Sequence, residues 1–127
     1  MHIWREIGSR GAEGWSLKNL GDVYSALQKG EESLKYLEEA WLILREVGDR
    51  WGEGETLHSI GKLYFAQNIY EVALSCFVLA KKILSELQNQ LHEETQIWIE
   101  KIQNELGEEQ FAALKITLGA GAQEIME

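Results

Sequence analysis

The sequence predicts an all-α protein built from repeated helix pairs, an α-α solenoid. Three observations predict it. The segment from Arg5 to Leu44 aligns without a gap over the segment from Arg45 to Leu84, and about fifteen of the forty positions are identical. Most of the others are conservative, as at Ile7/Val47, Leu20/Ile60 and Val23/Leu63. Within each copy, apolar residues recur every three or four positions, the spacing of one buried helical face. The 127 residues include no Pro, which suits a chain that is mostly helix, because Pro breaks helix interiors.

The elements follow in order. Met1 to Ile7 align with Trp41 to Val47, so residues 1–8 read as the end of a helix preceding the first pair. Trp4 takes the place of Leu44, an apolar position left at an open edge, which makes that edge a candidate for self-association. The phrases "REIGSRGAEG" (Arg5–Gly14) and "REVGDRWGEG" (Arg45–Gly54) read as seams between helices. Gly8 and Gly48 suit the left-handed position just past a helix end, and Ser9 and Asp49 suit the N-cap of the next helix.

Residues 9–48 form the first predicted pair. Leu17, Leu20, Tyr24 and Leu27 mark one buried stripe, "QKGE" interrupts, and Leu34, Leu37, Trp41 and Leu44 mark the second, with Ala40 beside it. Residues 49–88 repeat the plan with Leu57, Ile60 and Tyr64, then Ala73, Phe77, Ala80, Ile83 and Leu84. Gly21 and Gly61 fall mid-helix, where Gly costs about 1 kcal/mol relative to Ala. A close helix-helix contact accounts for both. Gln88 and Asn89 stand at the third seam.

Residues 89–118 depart from the pattern. Helical spacing persists at Leu91, Thr95, Trp98, Ile102 and Leu106, but a forty-residue period would bury Glu100, Lys101 and Asn104. The register has slipped, and this segment reads as a degenerate repeat that caps the array. A short second helix is expected after Gly107, with Phe111, Leu114 and Leu118 facing inward. Gly119 and Gly121 open a predicted disordered tail, residues 119–127.

Composition excludes several functions. Lys+Arg number 12 against 21 Asp+Glu, a net charge of −9, which argues against nucleic acid and anionic lipid as partners. No apolar run approaches the roughly 18 residues of a membrane span. The lone Cys76 and the absence of a signal-peptide layout in "MHIWREIG" point to a soluble cytoplasmic protein. His2, His58, His92 and Cys76 lack metal-ligand spacing, and "HEET" at His92 lacks the second His of a zinc-protease helix. With no phosphate-cradling loop and no nucleophile elbow, the chain reads as no enzyme, with no cofactor and no metal.

Each unit resembles the tetratricopeptide repeat (TPR), whose pattern sets a large residue, Leu-Gly, Tyr, then Ala, an aromatic and Ala at fixed offsets. The first unit has Leu17, Leu20-Gly21, Tyr24, Ser33, Leu37 and Ala40; the second has Leu57, Ile60-Gly61, Tyr64, Ala73, Phe77 and Ala80, with Tyr70 at a further aromatic position. The forty-residue period and the Gly-Asp-Arg seam are similar to the longer variant of bacterial signalling proteins and spindle-orientation adaptors. The resemblance implies a protein-interaction scaffold whose first helices line a concave groove. Carried over, the groove positions are Trp15, Lys18, Asn19, Asp22 and Ser25, then Glu55, His58, Ser59, Lys62 and Phe65. Asn19 suits a peptide backbone, Lys18 and Lys62 suit acidic groups, and Trp15 and Phe65 suit anchoring. The expected partner is a protein or peptide segment. The alternative is a structural fragment forming the C-terminal end of a larger regulator, or a homodimer through the edge near Trp4.

Overall fold

The computed structural model describes the backbone of residues 2–126 and the side chains of residues 8–118. Six helices follow one another: α1 (His2–Ala26), α2 (Gly30–Glu46), α3 (Arg50–Ala66), α4 (Tyr70–Glu86), α5 (Leu91–Leu106) and α6 (Glu108–Met126). Sequential helices pack as hairpins, α1 on α2 and α3 on α4, and each pair docks on the next through α2–α3 and α4–α5. The odd-numbered helices also touch one another in the order α1, α3, α5, forming one inner row. This is a helical-repeat solenoid, with three apolar clusters threaded along it rather than one central core.

The joints recur at twenty-residue intervals. Gln28 (φ 61°), Gly48 (φ 77°), Asn68 (φ 62°) and Gln88 (φ 55°) all take the left-handed conformation. After each, a backbone N–H bonds back five residues: Lys29 to Tyr24, Asp49 to Leu44, Ile69 to Tyr64 and Asn89 to Leu84, all at 2.9 Å. This closes the last helical turn and satisfies carbonyls that a plain helix end leaves open. Asp49 also caps α3, its Oδ1 accepting from the Gly52 N–H at 2.9 Å, and the Asn89 side chain accepts from the Leu91 N–H at 2.9 Å. Gly48 and, less strongly, Asn68 announce the conformation in sequence, whereas Gln28 and Gln88 do not, since Gln is a poor left-handed residue.

The mid-helix glycines are contact points. A Cβ on Gly21 would lie 2.7 Å from Cγ of Leu37, and one on Gly61 would lie 2.7 Å from Cε1 of Phe77. The same relation recurs one layer away, where a Cβ on Gly14 would lie 2.9 Å from Cγ of Leu44 and one on Gly54 would lie 3.0 Å from Cγ of Leu84. Each hairpin therefore holds two large side chains of its second helix against bare backbone of its first. Beside Gly21, the buried Ser33 hydroxyl donates to the Gly21 carbonyl at 2.6 Å.

Three sequence expectations are corrected. The seam at Gly8 and Ser9 does not form: α1 runs unbroken through both. Continuing the helix satisfies the backbone groups that a turn would expose. The tail is likewise helical to Met126, where Ala120, Ala122, Gln123 and Glu124 favour helix despite the intervening glycines. Leu20 and Leu27 are not buried. Leu20 is 39% exposed, whereas Ile60, its counterpart in the second pair, is 6% exposed because α2 covers it with Leu37 and Leu34. Trp4, the predicted self-association residue, lies outside the residues whose side chains are described.

The cap has a specific register. Thr95, Ile99 and Ile102 are buried on α5, as Thr56, Ile60 and Leu63 are on α3. The spacing between the two sets is thirty-nine residues, one short of the repeat. In this register Glu100 stands where α3 has Gly61. Without a glycine there, α6 cannot nest as α4 does. It leans instead on the α4–α5 cluster through Phe111, Leu114 and Leu118.

Candidate binding cavity

A cavity of about 390 Å³ opens on the inner row, lined by Lys18, Asp22 and Ser25 from α1, Glu55, His58, Ser59 and Lys62 from α3, and Leu91 and Glu94 from α5, with Ala26 and Leu37. Successive helices at TPR-like spacing bring these residues together, because each first helix presents the same face to the inside of the row. Seven of the ten residues expected in the groove line it.

The other three stand apart. Trp15 donates its Nε1–H to Oδ2 of Asp49 at 2.7 Å and meets Trp51 edge-on with ring centroids 5.9 Å apart. It ties the first pair to the start of the second. Asn19 is exposed on α1 outside the cavity. Phe65 packs between Tyr70 at 5.4 Å and Trp98 at 5.1 Å and so belongs to the α4–α5 cluster. Glu94 and Leu91 were missed in sequence. The one-residue slip hides them, since transferring positions into α5 requires the correct offset.

Charge in the cavity is mixed and largely committed. Lys18 Nζ pairs with Asp22 Oδ2 at 2.8 Å, and Lys62 Nζ lies 5.8 Å from the Trp98 ring centroid. Two cations therefore face three carboxylates, those of Asp22, Glu55 and Glu94.

His58 is the unusual member. It is 4% exposed, its ring meets Phe77 edge-on at 5.7 Å, and its Nδ1 lies 2.8 Å from Oγ1 of Thr95. The Thr95 hydroxyl donates to the Leu91 carbonyl one turn back at 3.0 Å. It therefore accepts from His58, which assigns the proton to Nδ1 and leaves Nε2 a bare acceptor. Nε2 has no hydrogen-bond partner, and Oε1 of Glu94 stands 3.9 Å from it. Burial pushes the imidazole down from 6.5 to about 4, with Glu94 opposing and Lys62 and Lys18 reinforcing the shift. The ring is neutral at pH 7. Cys76, half-buried on α4, is pushed up to about 11 by burial and is a poor nucleophile.

Among the described residues no group of His, Cys, Asp or Glu is placed to hold a metal ion, and no helix is long and apolar enough to cross a membrane. Stacked antiparallel helix pairs with a polar cavity on their inner row define a helical-repeat scaffold. The tetratricopeptide-repeat family model matches residues 12–86, and the chain belongs to that family. Repeats of this kind generally mediate protein–protein interactions. No curated protein and no solved structure matches the chain.

Proposed function

We propose that the inner row of α1, α3 and α5 binds a segment of a protein partner and that the chain is an interaction scaffold without catalytic activity. The observation that supports this most is the convergence of Lys18, Asp22, Ser25, Glu55, His58, Ser59 and Lys62 on one cavity. Seven polar or charged side chains on a single concavity offer hydrogen bonds that an extended or helical segment can use. The single half-buried thiol suits a reducing cytoplasm.

The test is a cavity block. Ser59→Tyr fills the space from a partly exposed position, and circular dichroism checks that the helices persist. Peptides selected on the wild-type protein should lose binding to the variant. Retention of their affinity by Ser59→Tyr would sink the reading.

A second reading rests on the bare face of α1. Val23 is 54% exposed where its counterpart Leu63 is 8% exposed, and Leu20 and Leu27 continue the same strip. Such a face suits docking against a second helix of another unit, in a second copy or in a larger regulator. Light scattering should then show concentration-dependent association that Val23→Lys abolishes. A monomer at every concentration would count against it.

A further inference from the structure

Within the cavity, two acceptors face one another with no hydrogen between them. Nε2 of the neutral His58 carries a lone pair, the Glu94 carboxylate can only accept, and they stand 3.9 Å apart. An unpaired nitrogen on a nine-tenths buried ring is costly, and the usual explanation is a missing donor. The remaining wall points the same way. Glu55 has no ion-pair partner among the described residues, Lys18 is neutralised by Asp22, and Lys62 rests over Trp98. What the cavity lacks is a cation that carries N–H groups.

Building on the proposed role of the concave face, we propose that this cavity receives a basic side chain of the partner, arginine or lysine, whose N–H groups bridge Nε2 of His58 and the carboxylate of Glu94. An acidic side chain in the same place would meet the Nε2 lone pair and two unpaired carboxylates. A guanidinium or ammonium meets acceptors alone on that wall and brings the two cations and three carboxylates of the cavity to balance. A volume of about 390 Å³ has room for such a head group and its stem. The chain's net charge of −9 favours the approach of a basic segment. Burial keeps the imidazole neutral, so the acceptor remains available across the neutral pH range.

The experiment uses four pools of nine-residue peptides, randomised except for a fixed central Arg, Lys, Gln or Glu, read by fluorescence anisotropy against wild type, Glu94→Gln and Ser59→Tyr. Glu94 is exposed, so Glu94→Gln leaves the packing untouched. In parallel, long-range nitrogen–proton NMR follows the His58 ring while N-acetyl-arginine amide is added. The Arg or Lys pool should bind the wild type about tenfold more tightly than the Glu pool, the worth of one charge-assisted hydrogen bond. Glu94→Gln should erase that preference. His58 should show the Nδ1–H tautomer, with Nε2 moving on titration. A Glu pool that binds as well as the Arg pool, a preference that survives Glu94→Gln, or an Nε2–H tautomer would each overturn the inference. Binding that ignores the central residue yet is lost in Ser59→Tyr would overturn it while leaving the concave-face reading standing. Pools that bind none of the three proteins, or that bind Ser59→Tyr as well as wild type, would remove both.

Discussion

Replacing Gly61 with Ala sets two terms of opposite sign against each other. In an open helix the change gains about 1 kcal/mol through lower backbone entropy in the unfolded chain. At Gly61 the new methyl would stand 2.7 Å from Cε1 of Phe77 and 2.9 Å from two further atoms of the same ring. Carbon atoms prefer about 3.5–4.0 Å, so the ring must withdraw by roughly 1 Å. It has little room: Phe77 is fully buried, edge-on to His58 at 5.7 Å and stacked with Trp98 at 5.9 Å. Overpacking of this kind costs about 1–3 kcal/mol, and the rigid ring puts it at the upper end, leaving a net loss of about 2 kcal/mol. Gly11, also helical, faces open space, with nothing within 4 Å of where a methyl would stand, so Gly11→Ala should raise stability by up to about 1 kcal/mol. Urea unfolding of both variants, with slopes compared to confirm that only stability has changed, reads the difference. The double variant Gly61→Ala/Phe77→Leu should lose less than the sum of its parts, because the shorter side chain frees the contact. A Gly61→Ala protein as stable as Gly11→Ala would refute the close-packing account of the repeated glycines.

Three further outcomes are expected. The unfolded chain protonates His58 near 6.5 and the folded chain near 4, so the unfolded state binds more protons between these values. Stability from this group is therefore complete above pH 6.5 and falls as pH drops towards 4, by about 3 kcal/mol in all; His58→Gln should flatten that part of a pH series of urea melts. Gln88→Gly should raise the melting temperature through relief of about 1 kcal/mol of left-handed strain at φ 55°, and Gly48→Ala should lower it by a similar increment. Ile60→Ala should cost about 2–4 kcal/mol, whereas Leu20→Ala at the same repeat position should cost under about 1 kcal/mol, because only the former leaves a cavity under a covering helix.

The repeat carried most of the architecture on its surface. Period, helix pairing and the Gly21 and Gly61 contacts follow from residues identical in two copies, since a solenoid reuses one packing solution. The same signal held for Gly14 and Gly54, identical in both phrases and unread. Turns were harder. Gln28 and Gln88 adopt a conformation that their side chains do not advertise, because hydrogen bonds across each joint, rather than local preference, hold them there. The first phrase misled for a related reason. Gly8 and Ser9 permit a break without compelling one, and α1 continues through both. In the cavity, type and position were readable for Lys18 or Ser59, but the hydrogen bond of His58 to Thr95 and its approach to Glu94 cross a joint whose length differs by one residue from the others.

That missing residue has a consequence for what the scaffold can hold. With Glu100 in place of a glycine, α6 does not repeat the nesting of α4, and among the described residues the inner row holds α1, α3 and α5. Neighbouring helix axes lie about 8–10 Å apart, so the row spans roughly 20 Å from the first axis to the last. An extended chain covers that distance in about six residues at some 3.3 Å each. On the proposed reading these three helices would read one short word of a partner, and joining several such words on one molecule would raise the affinity without any new contact.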